Sequence, residues 1–243
     1  MTDVTRPRGR TPAEGPVGTR LMGASHDELA AELAAADAEL STAPPSTVIA
    51  WALERFARRL VLAASFQDAV LLDLAVAVDP SVPVVFLDTG AHFPETYAYV
   101  ELLRLRYGLD LTVTEPGPEA TAWPCGSERC CELRKVAPLR AVLDGREAWI
   151  TGVKRVDAPS RASAPVVGVD PVFGIAKVNP LATWTDEDVA GYERDHGLPR
   201  HPLADRGYPS IGCAPTTRPV ESGDDPRAGR WPGSAKTECG LHR

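Results

Sequence analysis

Residues 60–96 read LVLAASFQDAVLLDLAVAVDPSVPVVFLDTGAHFPET, and this stretch decides the fold. It holds two short apolar runs, Leu60–Ala64 and 82–87, each ending in polar residues and each followed by a segment of helical spacing, 68–78 and 94–107. Continuous apolar runs of this length suit strands buried on both faces, and a helix between two of them makes a parallel crossover. Working outward, a third strand is predicted near 111–115, then an irregular stretch 116–128, a helix from 131 to about 143, and a fourth strand at 148–152. Upstream, 26–41 and about 46–58 carry apolar residues at helical spacing; downstream, TDEDVAGYERDHG (185–197) predicts a helix capped by Thr185. This βαβα alternation predicts an α/β fold with a doubly wound, mostly parallel sheet and ligands at the carboxyl ends of its strands.

The chain has 243 residues, 44% hydrophobic and 24% charged, enough for one α/β domain with a substantial core. A formal net charge of −7 provides no broad field for nucleic acid or anionic lipid, so any phosphate site must be local. Residues 1–25 mix Arg, Pro and Gly without an apolar core, which reads as a disordered tail rather than a signal peptide. Residues 26–215 are read as the domain proper and 216–243, rich in Pro, Gly and charge, as a mobile C-terminal segment. No stretch is apolar enough for a membrane span. Five cysteines, an odd number without an export signal, predict reduced thiols in the cytoplasm and point to metal binding or thiol chemistry.

Chemistry-bearing residues gather at the strand ends. The first strand runs into Ser65-Phe66-Gln67-Asp68 just before a helix, a place for a nucleotide phosphate or simply a helix cap. The second ends at Leu87-Asp88-Thr89-Gly90, where Asp88 could touch a ribose or adenine, or be a solvated loop carboxylate. The fourth runs into Lys154-Arg155, with Arg161 close behind, three cations suited to phosphate and sulfate oxygens. Cys130 and Cys131 open a predicted helix ahead of Lys135, and Cys213 lies far downstream. Thiolates from two such segments suit an iron–sulfur cluster, although buried cysteines also serve as small hydrophobes. Cys239, in KTECGLH (236–242), is a thiol on a tail able to reach a substrate and then a reductant, with Lys236 and His242 beside it.

Taken together, SFQDAVLLDL (65–74), FLDTGAHFPET (86–96), CCELRKVAPL (130–139), TGVKRVDAPSRA (151–162), VNPLATWTDEDV (178–189), GYPSIGCAP (207–215) and ECGLH (238–242) resemble the adenylyl-sulfate and phosphoadenylyl-sulfate reductases, in particular their cluster-bearing bacterial branch. The resemblance spans about residue 50 to the C-terminus and implies the adenine-nucleotide α-hydrolase-like (PP-loop) fold. It further implies that Cys239 attacks the sulfur of adenosine 5′-phosphosulfate, expelling AMP and leaving an S-sulfocysteine. Thioredoxin or a glutaredoxin-like reductant would then release sulfite for sulfate assimilation. Ser65, Lys154, Arg155 and Arg161 would hold the substrate's phosphate and sulfate oxygens, Asp88 would face its nucleoside, Arg227 and Arg230 would close over it, and Gln67, Lys135 and His242 would also bind it, Lys135 in addition stabilising the negative cluster. Cys130, Cys131 and Cys213 would bind a 4Fe-4S cluster. Oligomeric state, including a homo-oligomer, is left open.

Two residues depart from the family pattern. Where it places the fourth cluster cysteine, as Cys-x-x-Cys, this chain has Cys213-Ala-Pro-Thr216, and a threonine hydroxyl is a hard donor poorly matched to iron bound by sulfide. A cluster with one open iron, recruitment of Cys125, or loss of the cluster are the three outcomes, with a cluster favoured. Lys154 stands where the family commonly has arginine, keeping charge but losing the bidentate fork. Rival readings are a cluster-free reductase for the 3′-phosphorylated sulfonucleotide, an ATP-using PP-loop enzyme, and a nucleotide-binding protein without catalysis. The missing Ser-Gly-Gly grip at 65–68 speaks against the second of these.

Overall fold

The computed structural model describes residues 26–221 and 223–242; the tail expected over 1–25 lies outside the described residues. Helices α1 (His26–Leu40) and α2 (Pro45–Phe56) precede strand β1 (Leu60–Ala64). Helix α3 (Val70–Val78), β2 (Pro83–Leu87), α4 (Pro94–Tyr107) and β3 (Asp110–Thr114) complete the first half. A short helix α5 (Glu128–Cys131) continues through one π-helical turn, Glu132–Val136, into α6 (Ala137–Leu143). Strands β4 (Ala148–Thr151), β5 (Val167–Val169) and β6 (Ala176–Val178) and helix α7 (Asp186–Asp195) follow. No described helix is long and apolar enough to cross a membrane.

The six strands lie in the order β3-β2-β1-β4-β6-β5, all pairs parallel except β5 with β6. The apolar runs behave as their lack of alternation requires. Leu60, Leu62, Val84, Phe86 and Ile150 face one core with α2 and α3, while Val61, Val85 and Trp149 face a second with Leu139 and Leu143 of α6. Burying a Val, Leu or Phe side chain stabilises by about 1.5–3 kcal/mol, so both faces contribute.

The order in which successive strands are added reverses between β1 and β4, which pair in parallel with Leu60 opposite Ala148 and Ala63 opposite Thr151. Beyond their carboxyl ends lies the crevice where such sheets bind ligands. The four expected strands and the helices at 94–107 and beyond Thr185 are present, and Thr185 forms a reciprocal capping box with Asp188. Pro94 takes the first position of α4, where its missing N–H is harmless.

Three local differences have physical causes. The pair β5 and β6 was not expected, because three-residue strands carry too little periodicity to read. The helix around the cysteine pair begins earlier, at Glu128, because Ser127 caps it by accepting from the Cys130 N–H at 3.2 Å. Helix α2 starts at Pro45 rather than at a Ser46 or Thr47 cap, its entry set by consecutive prolines.

Candidate active site

A cavity of about 240 Å³ opens beyond the carboxyl ends of β1 and β4. Its wall is built from the turn after β1 (Ser65, Gln67, Asp68), the loop after β4 (Gly152, Lys154, Asp157, Arg161), the helix carrying Lys135, and the C-terminal segment with Arg227, Arg230, Cys239 and His242. The sharp turn after β1 is marked by Phe66, buried with φ 54, a conformation that a non-glycine residue holds only where packing enforces it.

Lys154, Arg161, Arg227 and Arg230 of this wall each already face an anionic or carbonyl partner. Lys154 Nζ lies 3.0 Å from Asp157 and 2.8 Å from Asp186. Burial pulls the Lys154 ammonium down, but those two carboxylates together outweigh it and its net shift is upward. Arg161 donates to Asp157 at 3.0 Å and, through Nε and Nη2, to both Glu238 oxygens at 2.7 and 2.8 Å. Arg227 donates to the Thr237 carbonyl at 3.0 Å and stands 3.5 Å from Glu238. Arg230 donates to Ser210 Oγ at 3.1 Å and spreads over the Trp231 ring at 4.7 Å. A Cβ at Gly212 would overlap the Arg230 guanidinium, so a side chain there would displace it.

Lys135 sits between the cysteine-bearing segments and the tail. Burial pulls its ammonium down, and the sulfur groups of Cys239, Cys213 and Cys131 more than compensate, so it is held protonated. The Cys213 thiol is held well below the usual thiol range, first by its contact with Cys125, then by Lys135 and by Thr89, whose Oγ1 lies 3.4 Å from it. Lys236 Nζ lies 3.1 Å from Cys131 Sγ and donates to the Gly126 carbonyl at 2.9 Å.

The C-terminal segment, expected to be mobile, lies along the cavity in this structure. Leu241 packs on the second core, and the His242 ring stacks on Trp149 with centroids 5.8 Å apart and planes 10° from parallel. Burial, with Lys177 and Arg161 nearby, keeps His242 neutral, its pKa well below the ordinary histidine range. Its Nδ1 is buried with no hydrogen-bond partner.

Of the residues singled out from sequence, Ser65, Gln67, Lys135, Lys154, Arg161, Arg227, Arg230, Cys239 and His242 line this one cavity. Asp88 and Arg155 stand outside its lining. Asp88 instead accepts from the Gly90 N–H at 2.7 Å and Tyr97 Oη at 2.8 Å, and Arg155 donates to the Ala164 carbonyl at 2.8 Å. Gln67 bridges to the late loop, donating to the Pro209 carbonyl at 3.3 Å and accepting from the Ile211 N–H at 3.0 Å. Asp68, one residue before the N-cap Ala69, accepts from the first helical N–H, that of Val70, at 3.0 Å. Sequence reasoning passed over Asp157, Asp186 and Glu238, the carboxylates that hold the cations, and Trp149, the platform for the tail. Only the position of Glu238 beside Cys239 in the terminal motif signalled it.

All five cysteines are free thiols, and Cys130, Cys131 and Cys213 are buried. Among the described residues no three His, Cys, Asp or Glu side chains converge tightly enough to hold a single metal ion. A cluster of several irons separates its thiolates more widely than one ion does. The donor chemistry fits such a group: four cysteines from two segments, with Lys236 on Cys131 and Lys135 near Cys131 and Cys213 to offset negative charge.

An α/β sheet with a cation-lined crevice at its topological switch point, with a thiol of the C-terminal segment in its wall, is the arrangement of an enzyme that binds an anionic nucleotide. The chain belongs to the phosphoadenosine phosphosulfate reductase family, whose domain description matches residues 59–219. It is 47% identical to adenosine 5′-phosphosulfate reductase from Mycobacteroides abscessus over 84% of this chain and 90% of that one. The crystal structure of phosphoadenylyl-sulfate reductase from Candida auris superposes with a TM-score of 0.68 at 26% identity, covering 81% of this chain and 99% of that one. FMN adenylyltransferase from Candida glabrata, 17% identical with a TM-score of 0.57 over 85% of this chain and 72% of that one, shares the fold, which is the PP-loop type expected.

Proposed function

We propose that the chain reduces adenosine 5′-phosphosulfate to sulfite and AMP, with Cys239 as nucleophile. The observation that carries this reading is that Cys239 lines the same cavity as Lys135, Arg161, Arg227 and Arg230. The Cys239 thiolate attacks the sulfo sulfur; an S–S bond forms, the bond from sulfur to the bridging phosphate oxygen breaks, and AMP leaves with that electron pair. A dithiol reductant of the thioredoxin or glutaredoxin type then attacks Cys239 Sγ, and sulfite leaves with the electrons of the S–S bond. The reductant's second thiol resolves the mixed disulfide, so two electrons pass from dithiol to sulfur. The cations neutralise the developing charge on phosphate and sulfite oxygens, for which Glu238 and Asp157 must yield part of Arg161. Free thiols throughout suit a reducing, cytoplasmic setting.

Cys130, Cys131 and Cys213 are the residues that would hold a 4Fe-4S cluster, beside Lys135, which reaches toward Cys239. When bound, the cluster would supply a fixed local charge next to the anion cavity.

Incubation with adenosine 5′-phosphosulfate in the absence of reductant is expected to leave a sulfo adduct on Cys239 in peptide mass spectra, discharged as sulfite by thioredoxin. Undiminished sulfite release by Cys239→Ser would overturn the reading. Strong preference for the 3′-phosphorylated substrate would move the assignment to the other branch of the family, from which the Candida auris structure comes.

A further inference from the structure

The segment ahead of α5 carries Cys125, and the loop that should bring a fourth cluster cysteine brings Thr216. These two positions lie against each other. Pro124 to Ser127 form a four-residue turn closed by the Ser127 N–H on the Pro124 carbonyl at 3.1 Å, with Gly126 at φ +91. A Cβ at Gly126 would meet Thr216 Cγ2 at 2.8 Å and Trp231 Cδ1 at 3.2 Å, so the turn rests on Thr216 as closely as only glycine allows. The electrostatic neighbours of the Cys125 thiol are the Cys213 thiol, the Cys130 thiol and the Thr216 hydroxyl, in keeping with the close approach of the adjacent Gly126 to Thr216. The Thr216 hydroxyl is directed to its own turn, reaching the Cys213 carbonyl at 3.4 Å. Lys236 ties the Cys125 turn to the cysteine pair, donating to the Gly126 and Ser127 carbonyls at 2.9 and 3.4 Å while contacting Cys131 Sγ at 3.1 Å.

We infer that Cys125 supplies the fourth thiolate of the cluster, delivered by the Pro124–Ser127 turn into the place that Thr216 leaves without a soft donor. The inference rests on the cluster reading given above. Chemically the exchange is conservative: the cluster sees four thiolates, one arriving from the loop before the cysteine pair rather than from the downstream Cys-x-x position. Gly126 is the residue that makes the exchange possible, because it brings the preceding cysteine within reach of Cys213.

The test uses full-length protein purified anaerobically as wild type, Cys125→Ser, Thr216→Cys and the double variant. Iron and acid-labile sulfide are quantified, with electron paramagnetic resonance of the oxidised samples. Wild type is expected to hold about four irons and four sulfides per chain. Cys125→Ser is expected to lose half or more of its iron or to show a three-iron signal, and the double variant to regain the wild-type content. Wild-type iron and spectrum in Cys125→Ser would overturn the ligand assignment while leaving the cluster reading intact. Wild type without iron and sulfide would overturn both, leaving the nucleophile to be judged by its sulfo adduct. Should Cys125→Ser fail to fold, the double variant decides: recovery of fold and iron supports the assignment, and recovery of fold without iron overturns it.

Discussion

Glu238 lies across the guanidinium of Arg161, its two oxygens 2.7 and 2.8 Å from Nε and Nη2, so the residue before the proposed nucleophile occupies a fork suited to an anionic substrate. Both side chains are about one-tenth exposed, which makes this contact stronger than a surface ion pair. It ties the segment carrying Cys239 to the cavity wall, and under the proposed function it would compete with substrate for Arg161.

Glu238→Gln is therefore expected to loosen residues 234–242, seen as faster amide exchange there. Turnover should fall by about tenfold, the equivalent of roughly 1.4 kcal/mol, because Cys239 is less often in place. Unchanged exchange in the tail would show that the contact does not hold it.

Lys135→Met removes the cation between Cys131, Cys213 and Cys239. By analogy with loss of one preorganised donor at a charge-developing site, kcat for sulfite release is expected to fall about 10²- to 10³-fold with a smaller change in KM. A change confined to KM would mean that Lys135 only binds substrate.

His201 gives the fold a pH dependence of defined sign. It is buried; Nδ1 accepts from the Leu203 N–H at 3.1 Å, so the neutral ring carries its proton on Nε2, facing Thr96 Oγ1 at 3.1 Å. Burial lowers its pKa from the ordinary 6.5 to about 4. As pH falls, the unfolded chain takes up this proton first. The stability that His201 contributes is therefore complete above about 6.5 and lost progressively toward about 4, up to about 3 kcal/mol in all. Thermal melts from pH 7 to 4 should show a shallower pH slope for His201→Asn than for wild type; parallel slopes would refute this.

Gly126→Ala places a methyl 2.8 Å from Thr216 Cγ2 on a backbone with φ +91. A melting temperature lowered by the equivalent of about 1–3 kcal/mol is expected, together with reduced iron content if the turn positions a ligand. A variant as stable as wild type would mean that the turn shifts freely.

Much of the fold was legible because its causes are local. The unalternating runs at β1 and β2, the Thr185 cap and the Pro94 start each act within one or two turns of chain. Strands β5 and β6 were not legible, since three residues on either side of a turn gain strand character only from pairing with each other and with β4. In the site, the cations were readable by type and place. Their neutralising partners were not: Glu238 meets Arg161 across 77 residues and Asp186 meets Lys154 across 32. Asp88 and Arg155 illustrate the converse, strand-end residues of suitable chemistry whose hydrogen bonds turn them away from the cavity.

The sequence by itself determined the parallel sheet, and it pointed to the ends of the strands as the candidate place for an anion and to the cysteine of the terminal motif as the candidate nucleophile, because periodicity and motif order are properties of neighbouring residues. Tertiary structure alone decided which cations share one cavity, that Glu238 stands on Arg161, and that Cys125 lies beside Thr216. Those are contacts between segments far apart in the chain, and they exist only once packing of the sheet and its helices has brought the segments together.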